Sequence, residues 1–261
     1  MSRWSARRAT AAEVSSPSST LAPKAPGQAA SSCGAAALLG RIEGEDARLL
    51  LHCRPAAART ASEIESLARE LGAAGRDVRA VPADISEEDS VAALFARIAH
   101  HYGQLDILVN NAGIGIYGPV VDFSSADFDR LMNVNVRGAF LCSRDALKLM
   151  LPRRCGYIIN ISSVVGFKGY VNQGAYSATK HAIMGLTKVL AVEAQKHNVR
   201  VSVILPGGVN TGLVGNARPD LKPEELLQPE DIAATVMFLL SLPERAAIDE
   251  IYIRRRNSQP W

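Results

Sequence analysis

Cysteine is scarce. The four in 261 residues, Cys33, Cys53, Cys142 and Cys155, are scattered and include no CxxC pair, so the chain has neither a disulfide framework nor a thiol redox motif. Free thiols in a reducing, cytoplasmic setting are the expectation. Five histidines include the neighbours His100 and His101, but no HExxH or comparable ligand spacing supports a metal site. No apolar run approaches the ~18 residues of a membrane span. Charge of one sign is also missing. With 29 basic and 26 acidic side chains the formal net charge is +3, which gives no nucleic-acid signature. Asn160-Ile161-Ser162 has the form of a glycosylation acceptor, yet it lies in an apolar, strand-like run and is read as buried.

What is present suits one α/β domain of ordinary globular composition. Residues 1–32 are rich in Ser, Ala and Pro, with Arg3, Arg7 and Arg8 against a single acid, Glu13. They have no period and are read as a disordered tail, an organellar transit peptide being the alternative. From Ala47 the pattern is regular. ARLLLHC predicts a strand and SEIESLARELGAAG a helix closed by glycine. DVRAVPADIS predicts a strand ending at Asp84, and SEEDSVAALFARIAHHYG a helix opened by a Ser-x-x-Asp cap. QLDILVNNAG is a strand running into a turn, and SADFDRLMNVNVRGAFLCSRDALKLM one long helix. GYIINIS and VRVSVIL are buried strands, PEDIAATVMFLLSL a helix, and DEIYI a last strand. Strands alternating with helices predict a doubly wound parallel sheet covered on both faces. The domain is expected over residues 33–253. Residues 254–261, opening with Arg254-Arg255-Arg256, are read as a solvated basic tail.

The chemistry concentrates in SVVGFKGYVNQGAYSATK, residues 163–180. Ser163 stands at the carboxyl end of a strand. Tyr176 and Lys180 are four apart on the following helix, so their side chains are neighbours. A phenol has an ordinary pKa of about 10, too high for a base near neutrality, and an adjacent ammonium lowers it. A hydroxyl at the strand end is placed to hydrogen-bond a carbonyl oxygen as negative charge builds on it. Ser162 is the neighbouring alternative to Ser163.

Ser163 with Tyr176-x-x-x-Lys180 resembles the short-chain dehydrogenase/reductase family. Further segments stand in that family's order: Asn110-Asn111-Ala112-Gly113 after a strand, Asn135 in NVNVRGAF, and Pro206-Gly207-Gly208-Val209-Asn210-Thr211 after VRVSVIL. The resemblance spans Ala47 to Ile253. It implies a Rossmann-like fold and hydride transfer between a nicotinamide and a small carbonyl or secondary alcohol. Tyr176 would give or take the hydroxyl proton, Ser163 orient the substrate oxygen, Lys180 hold the ribose, and Asn135 position a water. Asp84 would face the adenine, and the Asn111-Ala112-Gly113 turn would border the nearer ribose. Pro206, Gly207, the Val209 backbone and Thr211 would hold the nicotinamide end. Asp84, Asn111 and Thr211 also have plain readings as turn or cap residues. Arg54, with no acid beside it, favours the 2′-phosphate of NADP(H) over NAD(H). Tyr117, Tyr170, Gln173 and residues 211–228 would form the substrate lobe.

Two consequences follow from the resemblance. Helices over 126–150 and 176–196 are apolar over a wide arc, through Leu131, Val134, Val136, Phe140 and Leu141 and through Ile183, Met184, Leu186, Val189 and Leu190. The family pairs through these helices, so a homodimer or homotetramer is expected. The family's TGxxxGxG turn is missing, because its glycine positions hold Ala29, Cys33 and Ala35. A β-carbon at each close-approach position crowds a pyrophosphate. A same-fold protein with weakened cofactor binding, serving as a binding or regulatory partner, is therefore the alternative function.

Overall fold

The computed structural model describes residues 36–41, 48–53, 61–73, 78–217 and 221–259. The expected tail over 1–32, the positions Ala29, Cys33 and Ala35, and Arg54 lie outside the described residues. In chain order come strands β1 (Ala36–Arg41) and β2 (Arg48–Cys53), helix α1 (Ala61–Ala73), β3 (Val78–Pro82), α2 (Glu88–Tyr102) and β4 (Ile107–Asn110). Then follow α3 (Ser125–Met132), a π-helical turn over Asn133–Arg137, α4 (Gly138–Met150) and β5 (Gly156–Ile161). The chain continues with α5 (Gly174–Gln195), β6 (Val199–Pro206), the short α6 (Gly212–Ala217), α7 (Pro229–Ser241) and β7 (Glu250–Ile253).

Among the described residues the strands form one seven-stranded sheet in the order β3-β1-β2-β4-β5-β6-β7. All four residues of β4 are buried, as are most of β5 and β6, which is why these strands read as continuous apolar runs rather than alternating ones. Alternate residues feed opposite faces. Leu108, Ile158 and Val201 pack with Leu94 and Ile98 of α2 and Met150 of α4, whereas Ile107, Val109 and Ile159 pack with Leu239 and Leu240 of α7. Helices thus cover both faces, as the strand–helix alternation predicts. No described helix is long and apolar enough to cross a membrane.

Three details differ from expectation. The sheet is parallel from β2 to β7, but β1 runs antiparallel to both β2 and β3. Only residues 42–47 separate β1 from β2. That link is too short for the crossover of about a dozen residues that parallel pairing requires. The helix read through Asn133–Arg137 is α-helical only on either side of them, with the π turn between. The Ser86-x-x-Asp89 cap does not form. Glu87 is the cap residue, in extended conformation, and the Ser86 hydroxyl instead donates to Asp84 Oδ1 at 2.7 Å.

Cys142 and Cys155 are free thiols. Burial, with Asp145 adding to it, pushes the Cys142 thiol far above its ordinary pKa, so it packs as a small apolar group.

A polar chain ties the central strands to their helices. Asn110 Nδ2 donates to Asn160 Oδ1 (2.8 Å) across the β4–β5 register and to Ser143 Oγ (2.9 Å) on α4. Asn160 Nδ2 donates to Thr187 Oγ1 on α5 at 2.8 Å. All four side chains are buried. Asn110→Ala strands two buried acceptors and is expected to cost about 1–3 kcal/mol, seen as a lower urea midpoint at unchanged slope.

Candidate active site

In a parallel sheet the strand carboxyl ends and the loops leaving them border one crevice. Here that crevice is a cleft of about 1270 Å³. Its lining includes Asn111, Gly113, Ser163, Tyr176, Lys180, Pro206, Gly207, Val209 and Thr211, together with Tyr117, Tyr170 and Gln173. Most of the residues singled out in the sequence therefore meet in one place.

Tyr176 and Lys180 share a face of α5. Tyr176 is buried, its ring edge-on to Tyr117 at 5.5 Å between centroids. The Lys180 ammonium lies 5.7 Å from the Tyr176 ring centre and donates to the Ile161 carbonyl at 3.0 Å. That bond crosses from α5 to the end of β5 and fixes the ammonium beside the phenol. Ser162 and Ser163 diverge. Ser162 is buried, and its hydroxyl donates to the Lys180 carbonyl at 3.1 Å. Ser163 is half-buried, and its hydroxyl makes two long bonds, accepting from Val165 N at 3.3 Å and donating to the Pro206 carbonyl at 3.4 Å. A loosely held hydroxyl can rotate toward a ligand; Ser162 is committed to the helix.

Asn135 sits in the π turn and is buried. Its Oδ1 accepts from Ile114 N (2.7 Å), and its Nδ2 donates to Ile114 O (2.9 Å) and to Thr179 Oγ1 (3.2 Å). Thr179 Oγ1 in turn donates to the Tyr176 carbonyl at 2.8 Å. The extra residue of a π turn re-aims a side chain inward, and this one joins the loop after β4 to α5. A β-carbon on Gly113 would lie 3.2 Å from Asn135 Oδ1 and 3.7 Å from Lys180 Nζ. Glycine there keeps the wall between β4 and Lys180 thin.

Asp84, Ala112 and Asn135 are not among the cleft's lining residues. Asp84 Oδ1 accepts from Ser86 N at 2.9 Å and from the Ser86 hydroxyl, a turn role, and Ala112 packs on the core beneath α2 and α4. The loop after β6 is held by a bridge between Val209 and Leu227 and by Asn210 N donating to the Leu227 carbonyl at 2.7 Å. Thr211 is exposed at its end. The donors and acceptors along Asn111, Gly113, Tyr176, Lys180 and Val209–Thr211 fit the ribose and nicotinamide half of a dinucleotide. The segment expected to meet its phosphates lies outside the described residues.

Sequence reasoning missed three contributors. Thr179 lies between Tyr176 and Lys180, on the buried side of the same helix. Lys168 lines the cleft from the loop after Ser163. The closing segment does not leave as a solvated tail: Arg254, Arg255, Asn257, Ser258 and Gln259 line the cleft. Their position directly after a strand of a parallel sheet was the available signal, since that is the ligand edge.

A family model described as short chain dehydrogenase matches residues 48–222. The chain is 35% identical over 196 residues to sepiapterin reductase of Chlorobaculum tepidum, covering 75% of this chain and 80% of that protein. It is 36% identical over 182 residues to levodione reductase of Leifsonia aquatica, covering 63% and 68%. A metagenomic short-chain oxidoreductase solved in complex with NADP superimposes with a TM-score of 0.66 at 32% identity, over 77% of this chain and 84% of that one. The ElxO structure with NADP bound gives 0.60 at 30%, over 66% and 74%.

The Asn135 bridge yields a test. Asn135→Ala leaves the buried Ile114 N–H unpaired and is expected to cost about 1–3 kcal/mol in urea unfolding. Thr179→Val, which leaves both Ile114 bonds in place, is expected to cost less.

Proposed function

The chain belongs to the short-chain dehydrogenase family of NAD(P)-dependent oxidoreductases, and from that premise we propose that it reduces a small carbonyl, or oxidises the matching secondary alcohol, with NADP(H) favoured over NAD(H). The observation that carries this reading is the convergence of Ser163, Tyr176 and Lys180 on one cleft. When bound, the nicotinamide supplies or accepts the hydride. Tyr176 donates its phenolic proton to the substrate oxygen during reduction and takes it back during oxidation. Lys180, held by the Ile161 carbonyl, favours the phenolate by its charge and reaches the ribose. Ser163 donates to the same substrate oxygen. Asn135 positions the loop after β4 and a water that feeds a proton relay through Lys180 to Tyr176. Asn111, Gly113, Pro206, Gly207, Val209 and Thr211 hold the ribose and carboxamide, and Arg54 meets the 2′-phosphate. NADP in two of the similar structures supports that preference.

The competing reading, a same-fold binding or regulatory protein, draws on the missing glycines and on the antiparallel β1. Titration with NADPH decides between them. Binding is expected to raise stability by about 2.7 kcal/mol at 100 times the dissociation constant, read as a higher melting temperature. No shift at millimolar NADPH or NADH would exclude the enzyme reading. Tyr176→Phe is expected to lower kcat by about 10²–10⁴-fold with cofactor affinity nearly intact. Lys180→Ala should damage both.

For assembly we propose a homodimer or homotetramer in the cytoplasm, using the outer faces of α4 and α5. Leu131, Val134, Leu141, Ile183, Met184 and Leu190 are buried within the chain, but Phe140 and Val189 are 47% and 55% exposed. Light scattering should give a multiple of 27.9 kDa, and Val189→Glu should shift the mass toward one chain.

A further inference from the structure

Charge is unevenly placed in the cleft. Its charged lining residues are Lys168, Lys180, Arg254 and Arg255 against one acid, Glu230, in a chain whose formal net charge is only +3. Lys180 is accounted for at the Tyr176 end. The other three gather on the Ser163 side, beyond the ends of β6 and β7. The β-carbon position of Gly207, next to the Pro206 carbonyl that Ser163 faces, is 3.3 Å from the Arg254 backbone, and that of Gly208 is 3.9 Å from Arg255 Cδ. The Lys168 ammonium lies 5.7 and 5.9 Å from the ring centres of Phe167 and Tyr252.

These three cations differ in what occupies them. Arg254 Nη1 donates to the carbonyls of Arg255, Arg256 and Ser258 at 3.0, 3.1 and 2.6 Å. Arg254 is therefore spent on folding the closing turn, and that turn holds Arg255 at the cleft. Lys168 and Arg255 are both half-buried, and neither forms an ion pair among the described residues. Glu224 and Glu225 share a smaller recess with Arg255, Arg256 and Asn257, yet they are exposed and pair with none of them. A partly desolvated cation without a counter-charge is costly, and the aromatic faces near Lys168 offset only part of that cost.

The phosphates of a dinucleotide are a poor fit for this cluster. In a doubly wound sheet they meet the first strand–helix turn, on the β1–β2 side of β4. β7 lies three strands beyond β4 on the other side, about 14 Å from β4 at ordinary strand spacing. We propose, on the footing of the reductase reading, that the carbonyl substrate carries an anionic group, a carboxylate or a phosphate, which Lys168 and Arg255 receive at the β7 end of the cleft while Ser163 and Tyr176 take the carbonyl. The two cations thus select the substrate class and orient it.

Two matched pairs of probes test this with the full chain and NADPH: levulinate against methyl levulinate, and dihydroxyacetone phosphate against dihydroxyacetone. Reduction is followed as kcat/KM and binding by calorimetry. The anionic member of at least one pair is expected to be preferred by about tenfold, and the preference should shrink as salt is raised. Lys168→Gln and Arg255→Gln should each bring the anionic-to-neutral ratio toward one, whereas Arg256→Gln, which faces the smaller recess, should keep it. Equal use of both members in both pairs, or a preference that survives both Lys168→Gln and Arg255→Gln, overturns the anion site while leaving the reductase reading standing. Preferential binding of the anion without any reduction supports the anion site and removes the reductase reading. Binding of no probe overturns the anion site.

Discussion

The cleft depends on one small set of hydrogen bonds, those that Asn135 makes from the π turn. Through Ile114 and Thr179 it connects the loop leaving β4 to the backbone of Tyr176. Two separate walls are thereby set at a fixed distance by one amide, which spends both its oxygen and its nitrogen in the exchange. A regular α-helix through Asn133–Arg137 would aim that amide elsewhere. The irregularity is thus structural capital for the site, in keeping with the tendency of π turns to occur where function needs an aimed side chain.

The remaining supports are variations on the same economy. Lys180 is fixed by a carbonyl of β5, Ser162 by a carbonyl of α5, and the loop after β6 by a bridge to Leu227. None of these bonds involves a charge pair. Backbone carbonyls do the positioning, which leaves the charged and hydroxylic ends of Ser163, Tyr176 and Lys180 at the cleft. Beneath them the Ser143–Asn110–Asn160–Thr187 chain joins two strands to two helices. The sheet cannot slide in register without breaking it.

Much of this was legible in the sequence because the central strands are uniformly apolar and the site motifs are short and local. Tyr176 and Lys180 are set by helical spacing alone, and the carboxyl ends of β4, β5 and β6 follow from where apolar runs stop. The π turn was not legible. NVNVR differs from an ordinary helix by one residue of hydrogen-bond offset, and propensity does not register that. The antiparallel β1 was hidden for a different reason: AALLGR falls just after the positions of the expected glycine turn, where the resemblance calls for a helix, and strand direction is set by the short link to β2. Arg254 was misjudged as solvated because its partners are carbonyls, which carry no sequence signature. Asp84 had two readings from the start, and its bonds to Ser86 favour the turn.

The closing turn has a practical side. Arg254 gathers three carbonyls around its guanidinium, and Gln259 ends up on the lining of the cleft. Gln259 is the last described residue, and it stands on the wall of the site. An affinity handle or reporter joined there is therefore a change to the site itself. Attachment at the far end of α2, around the exposed His100 or His101, lies at the opposite edge of the sheet, near the amino end of β4.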